Sequence, residues 1–325
     1  MAGSSLYLNF AGTVMAALLL DSMIGDPKRL RHPVELMGWL IARMESAWNR
    51  PLASATQKRW LGGLMTCVVV GLSALIPWVI LAALARIAPW LAVLFNIWLI
   101  ATTIAGKGLM DAGRLVAQAL TQEGLIAARR EVGKIVGRDT AQLSEAEVVR
   151  ATVETLAENL VDGVIAPIFY ALIGQAPLAM AYRAVNTLDS MVGYKHARFR
   201  DFGLVSARLD DVANWVPASV TGLLMLIVLF FIKKDVARAF RVLVRDAKQH
   251  PSPNGGIPEA IVAGGLGVRL GGYNSYHGER SFRAYLGDDL RPFRVDDIAQ
   301  TIKVIQGVVV IVLLLLAVLE SGWWW

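Results

Sequence analysis

The chain has 325 residues, of which 55% are hydrophobic and only 18% are charged, and its mean hydropathy is +0.51. Soluble domains are nearer one quarter charged, so this composition excludes an ordinary soluble protein and predicts an integral membrane protein. The net charge of +6 does not indicate a nucleic-acid partner, because the basic residues lie beside apolar segments, as the positive-inside rule describes.

Five apolar segments have the character of membrane spans, and a sixth is interrupted. The five lie at about 6–20, 61–85, 90–105, 216–232 and 303–319. The sixth, 164–181, is interrupted by four residues: Pro167, Gly174, Gln175 and Pro177. Broken helices at membrane depth occur where they face protein or a water-filled cavity, so we expect this segment to line a cavity.

Lysine and arginine are concentrated in the segments 21–60 and 106–160, which predicts that both are cytoplasmic and that the N-terminus is outside. The segment 233–302 is also basic, which requires an even number of crossings between residues 160 and 232. We therefore favour a re-entrant segment at 164–181, which enters the membrane without crossing it. That arrangement keeps 183–211 on the cytoplasmic side.

The remaining segments also have helical signals. Ser144 and Glu147 form a capping box that places a helix start near Glu145. Alternating strand patterns and Asn-Gly hairpin signals are absent. We predict an all-α polytopic membrane protein, a single domain over 1–325, with about 4–6 transmembrane or re-entrant helices and helical cytoplasmic segments. Trp323–Trp325 suit an interfacial aromatic belt.

Three acidic residues, Glu154, Glu158 and Asp162, recur at four-residue intervals in the helix that begins near Glu145. At about 100° per residue their side chains fall within about 80° of one another. One interpretation is a solvated acidic face of an amphipathic helix. The other is a carboxylate cluster for Mg²⁺, which prefers oxygen ligands shared with substrate phosphates. The interrupted apolar segment that follows favours the second, because it places the acidic face toward membrane depth.

A second polar group follows that segment. Arg183, Asn186 and Ser190 share one predicted helical face, Asp189 flanks them, and Lys195 follows. A guanidinium is planar and always charged, which suits two-pronged binding of a phosphate or carboxylate. The alternative is an intramembrane salt bridge between Arg183 and one of the three acidic residues, and the two interpretations are compatible.

Just after the first apolar segment, Gly25-Asp26-Pro27 and His32-Pro33-Val34 bracket a short basic run. Asp26 and His32 could line the edge of a site, because carboxylates and imidazoles accept protons. An ordinary capped loop explains the same spacing.

The sequence HPSPNGGIPEA at 250–260 combines a turn with a helix start at which Pro258 is favourable. The N–H groups of such a turn and helix start form an anion site. The candidate phosphate-binding residues are Ser252, Asn254, Gly255 and Gly256. A tight loop with close backbone packing explains the glycines equally well, but it does not explain why polar residues including Glu259 cluster there.

The common nucleotide and metalloprotease motifs GxxxxGK[ST], GxGxxG and HExxH are absent from the sequence. If ATP binds to this chain, it binds outside the folds that those motifs mark.

Four blocks in this order resemble the cobalamin-biosynthesis CbiB/CobD family of adenosylcobinamide-phosphate synthases. They are GDPxxxxHPV at 25–34, ETLAENLVDGVIAPIFY at 154–170, AYRAVNTLDSMVGYK at 181–195 and HPSPNGGIPEA at 250–260. The resemblance covers nearly the whole chain. Each block alone is a weak signal, and the four together are specific.

The resemblance implies a multi-pass enzyme of the bacterial inner membrane with a cytoplasmic active site. Such enzymes join the propionate carboxyl of adenosylcobyric acid to the amine of aminopropanol or its phosphate, with ATP and Mg²⁺ as cofactors. It also implies the lipid bilayer and other membrane-bound enzymes of the late corrinoid pathway as partners.

The resemblance further assigns roles to the candidate residues. The Mg²⁺ ligands would be Glu154, Glu158 and Asp162, with Asp189 as a further ligand. The residues that bind ATP or substrate phosphate would be Arg183, Asn186, Lys195 and the turn Ser252–Gly256. Asp26 or His32 would deprotonate the attacking ammonium, and Glu158 and Arg183 complete the catalytic set.

Two other classes of protein share some of these features. A Mg²⁺-dependent membrane prenyltransferase would have repeated Asp-rich motifs, which the chain matches only partly at Asn186-xx-Asp189 and Asp210-Asp211. A small-molecule transporter would use the same charges at mid-membrane, but transporters commonly have internal repeats, and none is visible. A non-catalytic relative would not be expected to retain all four polar blocks.

Overall fold

The computed structural model describes residues 9–25, 32–194, 198–276 and 278–322. Trp323–Trp325, which the sequence assigns to an aromatic belt, lie outside the described residues. The helices and strands follow in chain order: α1 Phe10–Ile24, α2 Pro33–Trp48, α3 Ala55–Ile87, α4 Pro89–Thr103, α5 Gly106–Gln118, α6 Leu125–Val132, α7 Glu145–Leu160, α8 Ala166–Val192, α9 Leu204–Phe231, α10 Val236–Asp246, α11 Gly256–Leu266, β1 Leu270–Tyr276, β2 Glu279–Leu286 and α12 Asp296–Ser321.

The structure confirms an all-α polytopic membrane protein. In the described ranges, five helical stretches are long and apolar enough to cross a membrane: Ala55–Ile87, Pro89–Glu123, Glu145–Val192, Leu204–Phe231 and Asp296–Ser321. Four of the predicted spans fall within these stretches. The first predicted span, at 6–20, corresponds to α1, which has only 15 residues and is short for a bilayer core that needs about 20.

The predicted interruption at 164–181 is confirmed as a break inside α8. Gly174 (φ −143°, ψ 25°) and Gln175 (φ 53°, ψ −152°) have non-helical backbone angles. The side chain of Asn96 satisfies the polar groups freed there, because its amide nitrogen donates to Gln175 Oε1 at 2.9 Å and its oxygen accepts from Ala176 N at 3.1 Å. Protein groups thus replace the water that is missing at membrane depth. Whether the segment crosses the membrane or re-enters stays a prediction.

The chain divides into two compact units, each assembled from separate stretches. Unit 1 comprises Met1–Ala105, Ala166–Asn214 and Leu313–Trp325, and unit 2 comprises Gly106–Ile165 and Trp215–Val312. In unit 1, buried apolar side chains of α2, α3 and α8 form a core with Phe202 from the loop after α8: Met37, Ile41, Met65, Val69, Met180, Leu188 and Phe202. This core fixes the part of α8 that carries Arg183, Asn186 and Asp189.

A close backbone approach in unit 1 explains one glycine of α3. A Cβ atom on Gly62 would overlap the carbonyl oxygen of Phe202, whereas a Cβ on Gly71 of the same helix has no heavy atom within 4 Å. Because the obstacle at Gly62 is backbone, a side chain there can be accommodated only by moving the loop away from α3.

We therefore expect Gly62→Ala to lower the free energy of unfolding by about 1–3 kcal/mol through overpacking. Gly71→Ala, the matched control, should be neutral or stabilising, since alanine favours a helix by up to about 1 kcal/mol over glycine. Thermal unfolding of the purified protein in detergent measures both. Equal melting temperatures for the two variants would contradict this account of Gly62.

Unit 2 contains an antiparallel hairpin, β1–β2, in which Gly272 pairs with Arg283 and Tyr273 with Phe282. The sequence pattern does not predict it, because Gly271 and Gly272 have positive φ angles of 81° and 93° and interrupt any alternation of apolar and polar residues. The predicted capping box is confirmed: Ser144 accepts from Glu147 N, and the Glu147 carboxylate accepts from Ser144 N.

Candidate functional site

Glu154 belongs to a buried ion-pair network in unit 2. Its Oε2 lies 2.5 Å from Arg138 Nη2, and its Oε1 accepts a 2.9 Å hydrogen bond from Gly271 N on β1. Arg138 also donates to Asn274 Oδ1 at 2.8 Å, and Arg150 donates to the carbonyl oxygens of Gly271 and Tyr273. Buried charges persist when they are paired and hydrogen-bonded, so this network fastens the hairpin to α7.

Both oxygens of Glu154 are therefore engaged by protein groups, which favours a structural role for this residue, and its role as a metal ligand stays a prediction. Beyond Leu160 the helix widens into a π-helical segment, Val161–Ile165, in which Asp162 no longer follows the angular spacing of an α-helix. Within the part of the chain that the structure describes, no group of three or more His, Cys, Asp or Glu side chains is arranged to hold a metal ion.

Glu158, one turn further along α7, faces a different buried group. His250 Nε2 and Glu259 Oε1 lie 3.5 Å apart, and their side chains are only 4% and 2% exposed. A Cβ atom built on Gly255 would lie 3.0 Å from His250 Cε1 and 3.2 Å from Glu158 Oε1, so both groups border the turn. Arg283 on β2 lies within electrostatic reach of Glu158 and Glu259. We call Glu158, His250, Glu259 and Arg283 the imidazole cluster.

The turn that the sequence assigns to phosphate binding has its N–H groups engaged. Ser252 Oγ accepts hydrogen bonds from the backbone N–H groups of Asn254 and Gly255, each at 3.3 Å, and Gly256 N donates to Ser252 O at 3.3 Å. The Glu158 carboxylate borders Gly255, and its negative charge would repel a phosphate. In this structure the turn positions His250, and phosphate binding at Ser252–Gly256 stays a prediction.

Burial and pairing set the protonation of the imidazole cluster. Burial raises the pKa of Glu259 to about 7, because it penalises the charged carboxylate more than the hydrogen bond from His250 favours it. Burial opposes protonation of His250, but the hydrogen bond and charge of Glu259 outweigh it and raise the pKa of the imidazole. The pair therefore retains a proton more strongly than either group would in water.

Raised pKa values in the folded state predict that stability falls with increasing pH. Both groups bind protons more tightly when folded, so their contribution is fully present below the unfolded pKa values and lost as the pH rises through the folded ones. The free energy of unfolding of Glu259→Gln should therefore rise relative to that of the unsubstituted protein as the pH increases. We expect this relative gain to reach up to about 3 kcal/mol between about pH 5 and pH 8. Melting temperatures across this range measure the difference, with the exposed Glu279→Gln as control. Parallel curves for all three proteins would contradict the prediction.

Unit 1 has a separate polar cluster between α8 and the start of α9. Asp210 is 8% exposed, and Asn214 Nδ2 donates to its Oδ2 at 3.0 Å. Asn214 in turn accepts a 2.8 Å hydrogen bond from Tyr182 Oη, and Asn186 also hydrogen-bonds to the Asp210 side chain. Asp189 lies within electrostatic reach of Asp210. We call Asp189, Asp210, Asn186 and Asn214 the aspartate cluster.

A buried oxygen of Asp210 suggests that the aspartate cluster binds a ligand. Asp210 Oδ1 is buried and makes no hydrogen bond among the described residues. A buried carboxylate oxygen without a donor is costly, and a bound cation would satisfy it. Arg183, three residues before Asn186 and so on the same helical face, has a buried Nε that also lacks a hydrogen-bond partner in the described ranges. The alternative of a salt bridge from Arg183 to Glu154, Glu158 or Asp162 stays a prediction.

The remaining candidates have local roles or lie outside the described ranges. His32 is the N-cap of α2, where its Nδ1 accepts from Val34 N at 3.3 Å. This supports the capped-loop interpretation over a catalytic one, because the lone pair of Nδ1 is already used. Asp26 and Lys195 fall outside the described residues, so their predicted roles stay predictions.

Sequence reasoning did not single out Asp210, His250, Glu259 or Arg283 as site residues. For two of them the sequence contains a recognisable signal, a charged residue in or beside an apolar segment. Asp210 precedes an apolar span, and Glu259 stands alone in the apolar run IPEAIVAGGL, where an unpaired charge is expensive. The sequence contains no such signal for Arg283, because the place of this residue near Glu158 and Glu259 depends on the pairing of β2 with β1, a strand that the sequence does not predict.

Several known proteins resemble this chain over most of its length. The model of the family described as CobD/Cbib protein matches residues 14–305. The chain is 49% identical over 289 residues to the Klebsiella pneumoniae cobalamin biosynthesis protein CobD, covering 89% of this chain and 91% of the relative. It is 48% identical over 296 residues to the Citrobacter koseri protein of the same name, covering 90% and 93%.

A third relative, the cobalamin biosynthesis protein CbiB of Salmonella typhimurium, is 47% identical over 289 residues, covering 89% of this chain and 91% of the relative. No solved structure matches the chain significantly. Because the family model spans most of the sequence and the relatives match over almost their full lengths, this chain belongs to the CobD/Cbib family of cobalamin biosynthesis proteins.

Proposed function

We propose that this membrane protein is an amide-forming ligase of cobalamin biosynthesis, an adenosylcobinamide-phosphate synthase. It would join the propionate carboxyl of adenosylcobyric acid to the amine of aminopropanol or aminopropanol phosphate, with ATP as the energy source. Family membership supports the pathway. The observation that carries the reaction class is the buried Oδ1 of Asp210, which has no hydrogen-bond partner among the described residues. The Asp210 side chain is hydrogen-bonded to Asn186, which shares a helical face with Arg183.

Amide formation sets clear chemical demands. A carboxylate does not acylate an amine unless it is activated, and ATP can activate it as an acyl phosphate. Phosphoryl transfer requires cations around the phosphate oxygens, because negative charge develops on them during the reaction. The site must therefore offer carboxylates for a metal ion and a cationic side chain for phosphate.

The aspartate cluster fits the first demand. Mg²⁺ is commonly held by one or two carboxylates together with substrate phosphates rather than by a full protein cage. Asp210, with its orphaned oxygen, and Asp189 would provide those carboxylates. Bound there, Mg²⁺ would neutralise charge on the phosphates of ATP. The set of Glu154, Glu158 and Asp162 is not part of this proposal, because Glu154 is engaged by Arg138.

Arg183 fits the second demand. The Nε of its guanidinium is buried and has no hydrogen-bond partner among the described residues, and arginine binds phosphate in a two-pronged geometry. Lys195 would add a second positive charge, as the family resemblance implies. Glu158 belongs to the imidazole cluster of unit 2. Asp162 stays a proposed Mg²⁺ ligand.

The same proposal includes location and partners. The active site would face the cytoplasm, where ATP is available, in the bacterial inner membrane. Other membrane-bound enzymes of the late corrinoid pathway would then supply its substrates and consume its product at the same surface.

The test is reconstitution of the full-length protein in detergent or nanodiscs with adenosylcobyric acid, aminopropanol phosphate, ATP and Mg²⁺. Mass spectrometry should detect the amide product together with stoichiometric ATP consumption. Omission of ATP or of Mg²⁺ should abolish the product. A well-folded preparation that forms no amide, alongside an active relative, would refute the ligase assignment and leave the prenyltransferase and transporter alternatives to be assayed.

A further inference from the structure

Helix α10 of unit 2 has two apolar faces, of which only one packs against the protein. Ala239 and Val242 lie on one face and are buried. Phe240 and Val244 are 54% and 60% exposed, and at about 100° per residue they lie about 150° around the helix from the buried pair. We call Phe240 and Val244 the apolar strip. A surface helix usually turns its apolar residues toward the core, so a second, exposed strip indicates an interaction surface.

Two adjacent glycines of α11 place the apolar strip near the end of α9. A Cβ atom on Gly265 would lie 2.8 Å from Leu229 Cδ1 in the last turn of α9, and a Cβ on Gly264 would lie 2.6 Å from Ala239 Cα on α10. α11 therefore packs closely against both helices, and Phe240 directly follows the residue at the second contact. Since α9 is long and apolar enough to cross a membrane, the strip is held near the end of a membrane span.

The connection from α9 to α10 is also short. Lys234 N donates to Leu229 O at 2.9 Å, which keeps Lys234 against the last turn of α9. α10 begins two residues later, at Val236, and two residues of chain reach no further than about 7 Å. A helix that begins this close to the end of a span lies at the membrane boundary.

Positive charge accompanies the apolar strip. The segment 233–248 has six basic and two acidic residues, and the exposed Lys233, Arg241 and Lys248 form no ion pair with another described residue. Arg245, by contrast, pairs with Asp246 and Asp288. Uncompensated cations beside exposed apolar side chains complement a bilayer that contains anionic phospholipid. An acidic protein would match the charges too, but only a bilayer also surrounds the end of α9.

We propose that α10 is an interfacial helix that binds anionic phospholipid. Phe240 and Val244 enter the apolar edge of the bilayer, and Lys233 and Arg241 contact lipid phosphates. Helices of this kind bury their apolar face about 5–10 Å into the boundary between headgroups and acyl chains. The inference rests on the membrane class of the protein and goes beyond the proposed ligase reaction, on which it does not depend.

Spin labels in nanodiscs measure the depth of the apolar strip. Cys67 is the only cysteine, so Cys67→Ala provides a background in which Phe240→Cys, Val244→Cys and Gln142→Cys each carry one label on the full-length protein. Gln142 is exposed in the loop before α7 and is the matched control. Oxygen, which concentrates in the bilayer, should relax the labels at 240 and 244 more strongly than a water-soluble nickel chelate does. The order should reverse at 142. Either strip position is sufficient if the other variant does not fold.

Removal of the cations tests recognition of the headgroup. Lys233→Gln/Arg241→Gln should lower the affinity for phosphatidylglycerol about 30-fold, which corresponds to about 1 kcal/mol for each cation. Native mass spectrometry of the full-length protein titrated with this lipid measures the loss, and binding of zwitterionic phosphatidylcholine should not change. Arg269→Gln removes one charge that Asp289 already pairs at 2.9 Å, so its effect should be much smaller.

Labels at 240 and 244 that are as accessible to the nickel chelate as the label at 142 would overturn the inference. Labels shielded from both reagents would also overturn it, because a second copy of the chain or another protein would then cover the strip. Equal affinities of Lys233→Gln/Arg241→Gln and the unsubstituted protein for phosphatidylglycerol would refute binding of the headgroup. None of these measurements requires amide formation, so failure of the proposed function leaves them unaffected.

Discussion

Glu154→Ala is expected to cost about 3–5 kcal/mol of unfolding free energy, the largest stability loss that we predict for this protein. The substitution leaves the guanidinium of Arg138 buried without its carboxylate partner, and it removes the acceptor for Gly271 N on β1. An uncompensated buried charge is far more damaging than loss of an exposed ion pair, which is commonly worth less than about 1 kcal/mol.

Thermal unfolding in detergent, with hydrogen exchange of the β1–β2 hairpin, measures this effect. Glu145→Ala is the matched control, since this glutamate is exposed on the same helix and should change stability by no more than about 1 kcal/mol. The double variant Arg138→Leu/Glu154→Leu should recover part of the loss, because it leaves neither charge behind.

The result also decides between two roles for Glu154. A metal ligand would lose activity on substitution while the hairpin remained protected from exchange. Normal stability and exchange in Glu154→Ala, with activity abolished, would restore the metal interpretation and contradict the network described above.

Asp210→Asn is expected to lower the rate of amide formation by at least about 100-fold, which corresponds to about 2.7 kcal/mol of transition-state stabilisation. The asparagine keeps the shape of the side chain and its contacts with Asn214, but it removes the charge that would hold Mg²⁺. Stability should be unchanged or higher, because a buried carboxylate oxygen without a donor is itself destabilising. Loss of activity without loss of stability is the expected signature.

Binding of Mn²⁺, followed by electron paramagnetic resonance in the absence of substrate turnover, provides a second readout. It should weaken in Asp210→Asn and in Asp189→Asn. Asp201→Asn removes a charge from the same unit outside the cluster, where Asp201 pairs with Arg59 at 2.8 Å, and should retain both binding and activity. Unchanged Mn²⁺ binding and activity in Asp210→Asn would remove the aspartate cluster from the mechanism.

The sequence by itself determined the membrane class, four of the spans, the break at Gly174–Gln175, the capping box and the family. These features depend on local composition, on residues with strong backbone preferences, or on motifs read in order. The sequence also identified the segments 154–162, 183–189 and 250–259 as unusually polar for an apolar chain, because the cost of placing charge near the membrane is a property of residue type.

Only the tertiary structure decided what each of those polar residues does. Glu154 and Glu158 are one helical turn apart and equally acidic, yet one is neutralised by Arg138 while the other borders His250 and Glu259. Asp210 and Arg283 entered the candidate sites through contacts across helices and through an unpredicted strand. The physical reason is that the free-energy cost of burying a charged residue follows from its type and its neighbours in the sequence. The partner that offsets this cost comes from a distant segment that only folding brings near.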